Sequence, residues 1–390
     1  MEAIASAAIR SCRCGAFELR ELANLAWSVA PLKCADGPLF DAIAAAAIRK
    51  ISWPDRAPGP GTAGDSRHPV ALFSLVHALA ESDHLGDAVS DAVLAAVSRH
   101  ADVLDADVLD AAPGSTGRHR GPAEDTAGAA DPDRPLVFLD RPQVCVLWKP
   151  AGWTVSVSNK HGLEARDRED AGKPLQEWIT AQLGPHYPIA RDPSAAHGLL
   201  HRLDRETSGF LLCGKSYRGY YAAQLQFEAR RVQKGYVCLC RGFVARVPQL
   251  LQYPLRVCER CSVVEPDGRY ASTEIQSVGH FTGNGGDRFS LVELQLHTGR
   301  MHQIRAHMNH CGHALVGDLT YGGFARPKWC TRLFLHAYKL RVGIEGVRID
   351  AKCALPLDLR SMLLALTPVE VAPLRLAATC LSADRSTDSR

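Results

Sequence analysis

The stretch His197-Gly198-Leu199-Leu200-His201-Arg202-Leu203-Asp204-Arg205-Glu206-Thr207-Ser208-Gly209 runs directly into the apolar segment Phe210-Leu211-Leu212-Cys213. The apolar segment is short and lies between Gly209 and Gly214, a pattern that predicts a buried strand. Thr207, Ser208 and Gly209 are turn formers, so we expect a tight polar turn before the strand. That turn carries the carboxylate of Asp204.

Asp204 stands between Arg202 and Arg205. Neighbouring cations keep a carboxylate ionised, and an ionised, fixed carboxylate is what a nucleophile or a general base requires. An ordinary surface turn with a salt bridge would contain the same residue types. The local composition therefore leaves both interpretations open.

The longer pattern His-Arg-Leu-Asp-x-x-Thr-Ser-Gly, at residues 201–209, resembles the catalytic signature of the RluA-type pseudouridine synthases. The resemblance implies that Asp204 is the catalytic aspartate, which acts on uridine or its sugar while the base is isomerised. It also implies that Arg202 fills the space left by an extruded uridine, where a guanidinium can stack and donate hydrogen bonds. His201 and Arg205 are expected to contact RNA.

A second segment, Thr298-Gly299-Arg300-Met301-His302-Gln303-Ile304-Arg305-Ala306-His307, resembles the family motif Thr-Gly-Arg-x-His-Gln-Ile-Arg-x-His. By that match Arg305 pairs with Asp204, whereas Arg300 and His302 hold the loop or the RNA phosphates. We predict a helix that starts at Thr298 and stops near Gly312. Basic residues near the start of a helix oppose its dipole, which favours an anionic partner.

Two shorter motifs complete the candidate site. Lys149-Pro150-Ala151-Gly152 resembles the family's Lys-Pro-x-Gly turn, so Lys149 is expected to support the site or contact RNA; a solvated lysine is the alternative. Lys234-Gly235-Tyr236 resembles the Lys-x-Tyr motif, whose tyrosine packs on the target base, and Lys234 is expected to contact RNA. The ring of Tyr236 suits stacking and its hydroxyl suits proton transfer, although a tyrosine at a strand end is often simply core.

The resemblance extends over about residues 136–367, including a turn at Gly317-Asp318 that resembles Gly-Asp-x-x-Tyr-Gly. It implies an α+β fold with a mixed, mostly antiparallel sheet and an RNA cleft. The implied reaction breaks the N1–C1′ bond of uridine, rotates the uracil and rejoins it through C5, without metal or other cofactor. Ordinary glycoside hydrolysis would call for two carboxylates, and these motifs supply one.

The N-terminal region reads as repeated helices. Its apolar pattern recurs 50 residues later, so that Leu22 corresponds to Leu72 and Ile43 to Val93, which is typical of an α-solenoid. The segment from Glu21 to Ala30 resembles octotricopeptide and FAST-kinase-like RNA-binding repeats. An ordinary alanine-rich helical domain is the alternative. If the repeats select RNA, deleting residues 1–130 should weaken binding and leave basal activity.

We predict the following domain organisation: a helical-repeat segment at 1–110, with repeats at 17–51 and 67–101 around an insertion loop at 53–68, a disordered linker at 111–135, a pseudouridine synthase catalytic domain at 136–370 and a polar tail at 371–390. The linker contains no large apolar residue, so it cannot offset the entropy cost of ordering. Within the catalytic domain, residues 136–139 and 144–148 read as short strands.

Bulk properties narrow the function classes. The chain of 390 residues has a net charge of only +3, which permits nucleic-acid binding but does not demand it. The 13 scattered cysteines and the lack of a signal peptide favour an intracellular protein with reduced thiols, in mitochondrion, chloroplast or cytoplasm. No apolar run is long enough to span a membrane.

We expect RNA as the partner. The alternatives are an inactive RNA-binding or ribosome assembly factor and a base-releasing glycosidase.

Overall fold

The computed structural model describes residues 2–14, 16–30, 37–52, 67–110, 133–155, 172–246, 249–323 and 325–369. The predicted polar tail lies outside these residues, as does the predicted linker except for 133–135. Two compact units are present. The first comprises Met1–Thr116, Ser216–Arg231 and Gly343–Gly346, and the second comprises Gly117–Lys215, Val232–Val342 and Val347–Arg390.

The helices of the described residues are, in chain order, α1 (Glu2–Arg13), α2 (Leu19–Val29), α3 (Gly37–Ser52), α4 (Arg67–Glu81), α5 (Asp87–Asp110), α6 (Leu175–Gln182), α7 (Tyr217–Glu228), α8 (Gln303–His310) and α9 (Leu357–Leu364). The strands are β1 (Leu136–Asp140), β2 (Val144–Lys149), β3 (Trp153–Thr154), β4 (Lys173–Pro174), β5 (Ser208–Gly214), β6 (Gln233–Arg241), β7 (Gln249–Leu251), β8 (Leu255–Cys258), β9 (Cys261–Val264), β10 (Thr273–Thr282), β11 (Arg288–Leu296), β12 (Leu335–Ile344), β13 (Val347–Lys352) and β14 (Thr367–Pro368).

The first unit is helical. Helix α2 packs on α4 and α3 packs on α5, and the equivalent positions Leu22, Leu72, Ile43 and Val93 are all buried in its core. The predicted repeats thus fall on two successive helix pairs, while the type of repeat stays a prediction. Helix α1 was not expected from the repeat pattern. Most of the predicted insertion loop, 53–66, lies outside the described residues, but its last two residues begin α4 instead.

Helix α7 also belongs to this helical unit, although its sequence lies in the middle of the chain. As predicted, Ser216 caps it, accepting a hydrogen bond from the backbone N–H of Gly219 at 3.0 Å. The helix ends at Glu228, three residues before the predicted end, because Arg230 has a positive φ of 56°. Leu225 of α7 is buried in the same core as the N-terminal helices.

The second unit contains a large mixed sheet with the order β1-β2-β5-β12-β6-β11-β10-β14; β13 lies beside β12 and β7 beside β10. Only the β5–β12 pairing is parallel among the described pairs of this sheet. The predicted α+β class with a mostly antiparallel sheet is therefore confirmed. Strand β5 is buried along its whole length between β2 and β12, as its apolar sequence predicts.

The helix predicted to start at Thr298 starts at Gln303 instead. His302 has left-handed backbone angles, φ 52° and ψ 25°, which cannot be part of a right-handed helix. The helix ends at His310, two residues before the predicted stop at Gly312, whose φ is 82°. Across the described residues, no helix combines the length and apolar content that a membrane crossing requires.

Candidate active site

The loop that carries Asp204 is fixed through its backbone carbonyl groups. The carbonyl of Asp204 accepts a hydrogen bond from the backbone N–H of Thr207 at 3.1 Å. The carbonyl of Arg205 accepts two, from the N–H of Gly152 at 2.8 Å and from Nζ of Lys149 at 3.2 Å. One anchor comes from the loop itself and two come from the turn at Lys149–Gly152, so the backbone around Asp204 is held on both sides.

Lys149 ends strand β2 and is completely buried. Its Nζ also donates to the carbonyls of Pro150 at 3.0 Å and Trp153 at 2.9 Å. Burial lowers the pKa of Lys149 to about 7, while the charge of Asp204 opposes that shift. Three carbonyl acceptors match the three N–H donors of an ammonium group, so the protonated form of Lys149 supports the loop.

Arg332 fixes the downstream half of the loop. Its Nη1 donates to the carbonyl of Glu206 at 2.9 Å, and its Nη2 donates to Oγ of Ser208 at 3.0 Å. Ser208 also contacts Nδ1 of His336, at 3.0 Å from Oγ. Arg332 and His336 are both buried, so strand β12 and the residues just before it hold the point where the loop becomes β5.

The carboxylate of Asp204 has two basic neighbours. Nη1 of Arg305 lies 3.6 Å from Oδ2, and Nε2 of His302 lies 3.8 Å from Oδ1. The side chain of Asp204 is 17% exposed, so it remains accessible from one direction. Both neighbours are at ion-pair distance but beyond hydrogen-bond distance. The predicted proximity of Arg305 and Asp204 is therefore present, without a direct hydrogen bond.

The hydrogen bonds of Arg305 go to Asp318. Its Nε and Nη2 donate to the two carboxylate oxygens at 2.7 and 2.8 Å, in a buried bidentate pair. Burial alone would lower the pKa of Arg305, but the hydrogen bonds to Asp318 together with the charges of Asp318 and Asp204 raise it. Asp318 also accepts from the N–H groups of Thr320 and Tyr321. The sequence predicted only a turn here, because the spacing of Asp318 from Arg305 carries no pairing signal.

Gln303 is a second residue whose role the motifs did not reveal. Its buried amide oxygen accepts from the hydroxyl of Thr298 at 2.7 Å and from the N–H of Arg300 at 3.0 Å. Its amide nitrogen donates to the carbonyl of Ser272 and to Oγ1 of Thr273, both at 2.9 Å. Gln303 thereby fixes the turn before α8 on the beginning of strand β10. The sequence signal for this role was the position of Gln303 within the Thr-Gly-Arg-x-His-Gln-Ile-Arg-x-His motif.

Tyr236 lies on β6, opposite Leu294 of β11, and is only 6% exposed. Burial raises the pKa of its hydroxyl, and the nearby charge of Asp204 raises it further. The phenol therefore remains protonated at neutral pH and is a hydrogen-bond donor close to Asp204. The structure brings Tyr236 into the site but leaves little of its ring exposed.

The predicted RNA-binding residues divide into buried and surface groups. His201 accepts a hydrogen bond on Nε2 from the N–H of Leu212 at 3.0 Å, and burial lowers the pKa of His201 to about 3, so its ring is neutral. Arg202 and Arg205 are exposed on the loop. Arg300, which donates from Nε to the carbonyl of Tyr270 at 3.0 Å, and Lys234 are partly exposed.

Comparisons with known proteins identify the family of the chain. Residues 143–310 match the family model described as RNA pseudouridylate synthase. The chain is 31% identical over 223 residues to the tRNA pseudouridine synthase C of Pasteurella multocida, covering 52% of this chain and 84% of that protein. It is 37% identical over 172 residues to an uncharacterized RNA pseudouridine synthase of Chloroflexus aurantiacus, covering 43% of this chain. It spans about half the length, 52%, of that protein.

Another relative is the ribosomal large subunit pseudouridine synthase D of Yersinia pestis, 29% identical over 247 residues, with 59% of this chain and 70% of that protein covered. Among solved structures, human RNA Pseudouridylate Synthase Domain Containing 1 matches with a TM-score of 0.47 and 23% identity, covering 65% of this chain and 97% of that one. From the sequence matches, the chain belongs to the RNA pseudouridylate synthase family. This membership confirms the resemblance of its motifs to the RluA-type pseudouridine synthases.

Proposed function

We propose that this protein is an RNA pseudouridine synthase that isomerises uridine in rRNA, tRNA or mRNA, with Asp204 as the catalytic carboxylate. The observation that carries the proposal is the placement of Asp204. Its loop is fixed by backbone hydrogen bonds, and its partly exposed carboxylate faces Arg305 and His302. The other carboxylate of the loop, that of Glu206, is paired with Arg326 at 3.1 Å.

The position of Arg305 suits a reactive carboxylate. A guanidinium that donated two short hydrogen bonds to Asp204 would hold both oxygens and weaken them as a nucleophile or base. Here those hydrogen bonds go to Asp318, and only the charge of Arg305, 3.6 Å away, acts on Asp204. The positive charge of Arg305 lies close to Asp204 in a largely enclosed site, while the oxygens of Asp204 stay available for C1′ or for a proton of the sugar.

Tyr236 would complete the pocket for the uracil. Its protonated hydroxyl can donate a hydrogen bond to the carboxylate or to the detached base, and its ring forms part of the wall. Because the ring of Tyr236 is nearly buried, we propose that it limits one side of the uracil pocket and does not stack broadly on the base. The target uridine must leave its helix to reach such a site.

We assign binding of the RNA backbone phosphates to four cationic side chains at the surface: Arg202, Arg205, Arg300 and Lys234. Contacts of this kind hold phosphates and carry little sequence information. Lys149 and His201 were also predicted to bind RNA, and we now assign them to the loop, since their described hydrogen bonds end on the protein backbone. The names of the relatives refer to the ribosomal large subunit and to tRNA, so structured rRNA or tRNA is the substrate class to test first.

The test is a product analysis. RNA incubated with the protein is digested to nucleosides, and pseudouridine, uridine and free uracil are quantified. We expect pseudouridine to accumulate as uridine disappears, with no free uracil. Free uracil without pseudouridine would indicate a base-releasing glycosidase. Tight RNA binding without either product, across rRNA and tRNA substrates, would support the inactive assembly factor and contradict the proposal.

A further inference from the structure

His302 has a left-handed backbone conformation, which is uncommon for residues other than glycine. Its φ of 52° lies in the left-handed region, which disfavours residues with a side chain beyond Cβ unless the surroundings enforce it. Such outliers are concentrated at active sites, and this one directs Nε2 to within 3.8 Å of the carboxylate of Asp204. The conformation of His302 therefore needs an explanation beyond helix capping, since its side chain caps no N–H group of α8.

The surroundings that enforce it come from the hairpin of β8 and β9. Ser262 of β9 is completely buried, and its Oγ donates to the carbonyl of Met301 at 2.7 Å. Its backbone N–H donates to the hydroxyl oxygen of Tyr321 at 2.7 Å, and its carbonyl accepts the proton of that hydroxyl at 3.0 Å. Ser262 thus holds both the peptide before His302 and the tyrosine beside its ring.

These contacts also determine the tautomer of His302. The Tyr321 hydroxyl lies 3.3 Å from Nδ1 and has a single proton, which it donates to the nearer carbonyl of Ser262. Its oxygen can then only accept from Nδ1–H. A neutral His302 consequently carries its proton on Nδ1 and leaves the lone pair of Nε2 on the side of Asp204. The ring is arranged to receive a proton there.

The charged groups around the ring agree with that state. Burial lowers the pKa of His302, Asp204 and Asp318 raise it, Arg305 and Arg202 lower it, and the net direction is downward. The neutral form therefore predominates at neutral pH before the reaction. A protonated ring would gain a favourable ion pair with Asp204 as soon as it formed.

We propose that His302 is the proton carrier of the active site, accepting on Nε2 the proton that Asp204 takes from C5 of the rearranged uracil. This inference rests on the proposed function. When C5 bonds to C1′, C5 still carries its hydrogen; losing it as a proton restores the conjugated ring. Asp204 accepts this proton and, once the 3.8 Å separation from Nε2 closes to hydrogen-bond distance or one water bridges it, passes the proton to Nε2 and is again a carboxylate. The imidazolium then releases one proton, and N1, which lost its bond to C1′, gains one.

His302→Asn is the primary test variant, because asparagine tolerates left-handed angles and is a favourable N-cap residue. Steady-state turnover rates are measured with RNA containing uridine or 5-deuterouridine, over a range of pH, because the Asp204 carboxylate is regenerated only after pseudouridine has formed. The matched control is His297→Asn, at an exposed histidine paired with Glu274 outside the site. Thermal unfolding is recorded for all proteins, to show that each is folded.

We expect His302→Asn to lower the rate by about 10²-fold, the usual contribution of a positioned proton-transfer group. Deuterium at C5 should slow the variant more than the wild type, because transfer of the proton that came from C5 away from Asp204 becomes rate-limiting. The wild-type rate should decline at acid pH, where His302 is already protonated, and the variant should lack the part of this decline that His302 causes. His297→Asn should match the wild type in all three measurements. A wild-type rate, or a slower rate without a larger isotope effect, overturns the inference.

His302→Gly provides a second variant, since glycine adopts positive φ without strain and leaves space for a free imidazole. Added imidazole should restore the rate of this variant by about tenfold or more, and the absence of any rescue would contradict proton transfer through the ring. Failure of the two proposals can be told apart. A wild type that forms no pseudouridine overturns the proposed function together with this inference, whereas an active wild type with an equally active His302→Asn overturns only the inference.

Discussion

At the scale of single residues, Arg305 illustrates how a charge can serve two carboxylates in different ways. Arg305 donates its hydrogen bonds to Asp318. It acts on Asp204 through its positive charge only, from 3.6 Å away. The motif predicts that Arg305 lies beside Asp204. It does not reveal the partner that orients the guanidinium, because Asp318 is 13 residues further on, in a turn whose glycines were the visible feature.

Asp318→Asn should therefore destabilise the protein and reduce its activity. Removing one charge of a buried bidentate pair leaves Arg305 without its main counterion, at a cost of about 3 kcal/mol. Arg305 would then move toward Asp204 and hold the carboxylate that should react. Chemical denaturation measures the free energy of unfolding, and single-turnover assays measure the rate.

The control for this substitution is Asp350→Asn, which removes the same charge from a more exposed pair with Arg341. We expect its effect on stability to stay below about 1 kcal/mol. Equal effects of the two substitutions would contradict a special role for the Arg305–Asp318 pair.

At the scale of elements, the aspartate loop depends on the parallel pairing of β5 and β12. Gly209 has a φ of 131°, and a Cβ added there would lie 2.2 Å from the carbonyl oxygen of Ala337. The glycine that ends the Thr-Ser-Gly part of the motif is thus required sterically, since a larger residue would prevent β5 and β12 from approaching each other. The sequence predicted strand β5 correctly but gave no indication that its neighbour would be parallel.

Gly209→Ala should destabilise the fold by about 3 kcal/mol, in the range of severe single substitutions, because both the φ angle and the contact with β12 become unfavourable. Gly343→Ala is the matched control, as nothing lies within 4 Å of a Cβ added there. Thermal or chemical unfolding of both variants checks the prediction. A Gly209→Ala protein as stable as the control would show that β5 and β12 can separate freely.

His336 connects the same two strands and makes stability depend on pH. Burial lowers the pKa of His336 from its ordinary value of 6.5 to about 3. Between these values the unfolded chain binds a proton that the folded protein does not, so stability is greatest above pH 6.5 and falls as the pH decreases toward 3. His201 should contribute in the same direction, because its pKa is also lowered to about 3.

His336→Asn should flatten this dependence. Asparagine can keep a hydrogen bond to Ser208 and has no titration, so the slope of the unfolding free energy between pH 4 and 6 should decrease by about 1.4 kcal/mol per pH unit. Denaturant titrations at several pH values measure the slope. An unchanged slope would mean that His336 is protonated in the folded protein as readily as in the unfolded chain.

Element boundaries were the weakest predictions. Strands β1, β2 and β5 follow from apolar composition, and each predicted end lies within two residues of the observed one. The start of α8 was predicted five residues too early, since the motif's own residues form a turn that Gln303 holds. Backbone angles such as that of His302 depend on contacts with Ser262 and Tyr321, which are distant in sequence. No local pattern encodes them.

At the scale of the whole molecule, the helical unit recruits a segment from the middle of the chain. Asp105 of α5 accepts hydrogen bonds from the backbone N–H groups of Tyr217 and Arg218, at 3.0 and 3.2 Å, and so caps the start of α7. Leu225 is 1% exposed in the helical core. The N-terminal helices are consequently a structural requirement of α7, which the sequence had assigned to the catalytic domain.

This arrangement changes the expected result of deleting residues 1–130. The deletion would expose Leu225 and remove the Asp105 cap, so we now expect it to lower the melting temperature by about 5 °C or more, in addition to any effect on RNA binding. Differential scanning calorimetry of the full and shortened chains measures this change. Equal melting temperatures with unchanged activity would show that α7 needs no partner, and unchanged RNA binding would contradict selection of RNA by the repeats.

The central claim is that Asp204 carries out the isomerisation, and one measurement addresses it directly. Pseudouridine is mapped at single-nucleotide resolution in RNA incubated with the wild type or with Asp204→Asn, which preserves the size of the side chain and removes its charge. We predict modification at defined positions with the wild type and none with the variant. Modification by both proteins would show that Asp204 is not the catalytic residue.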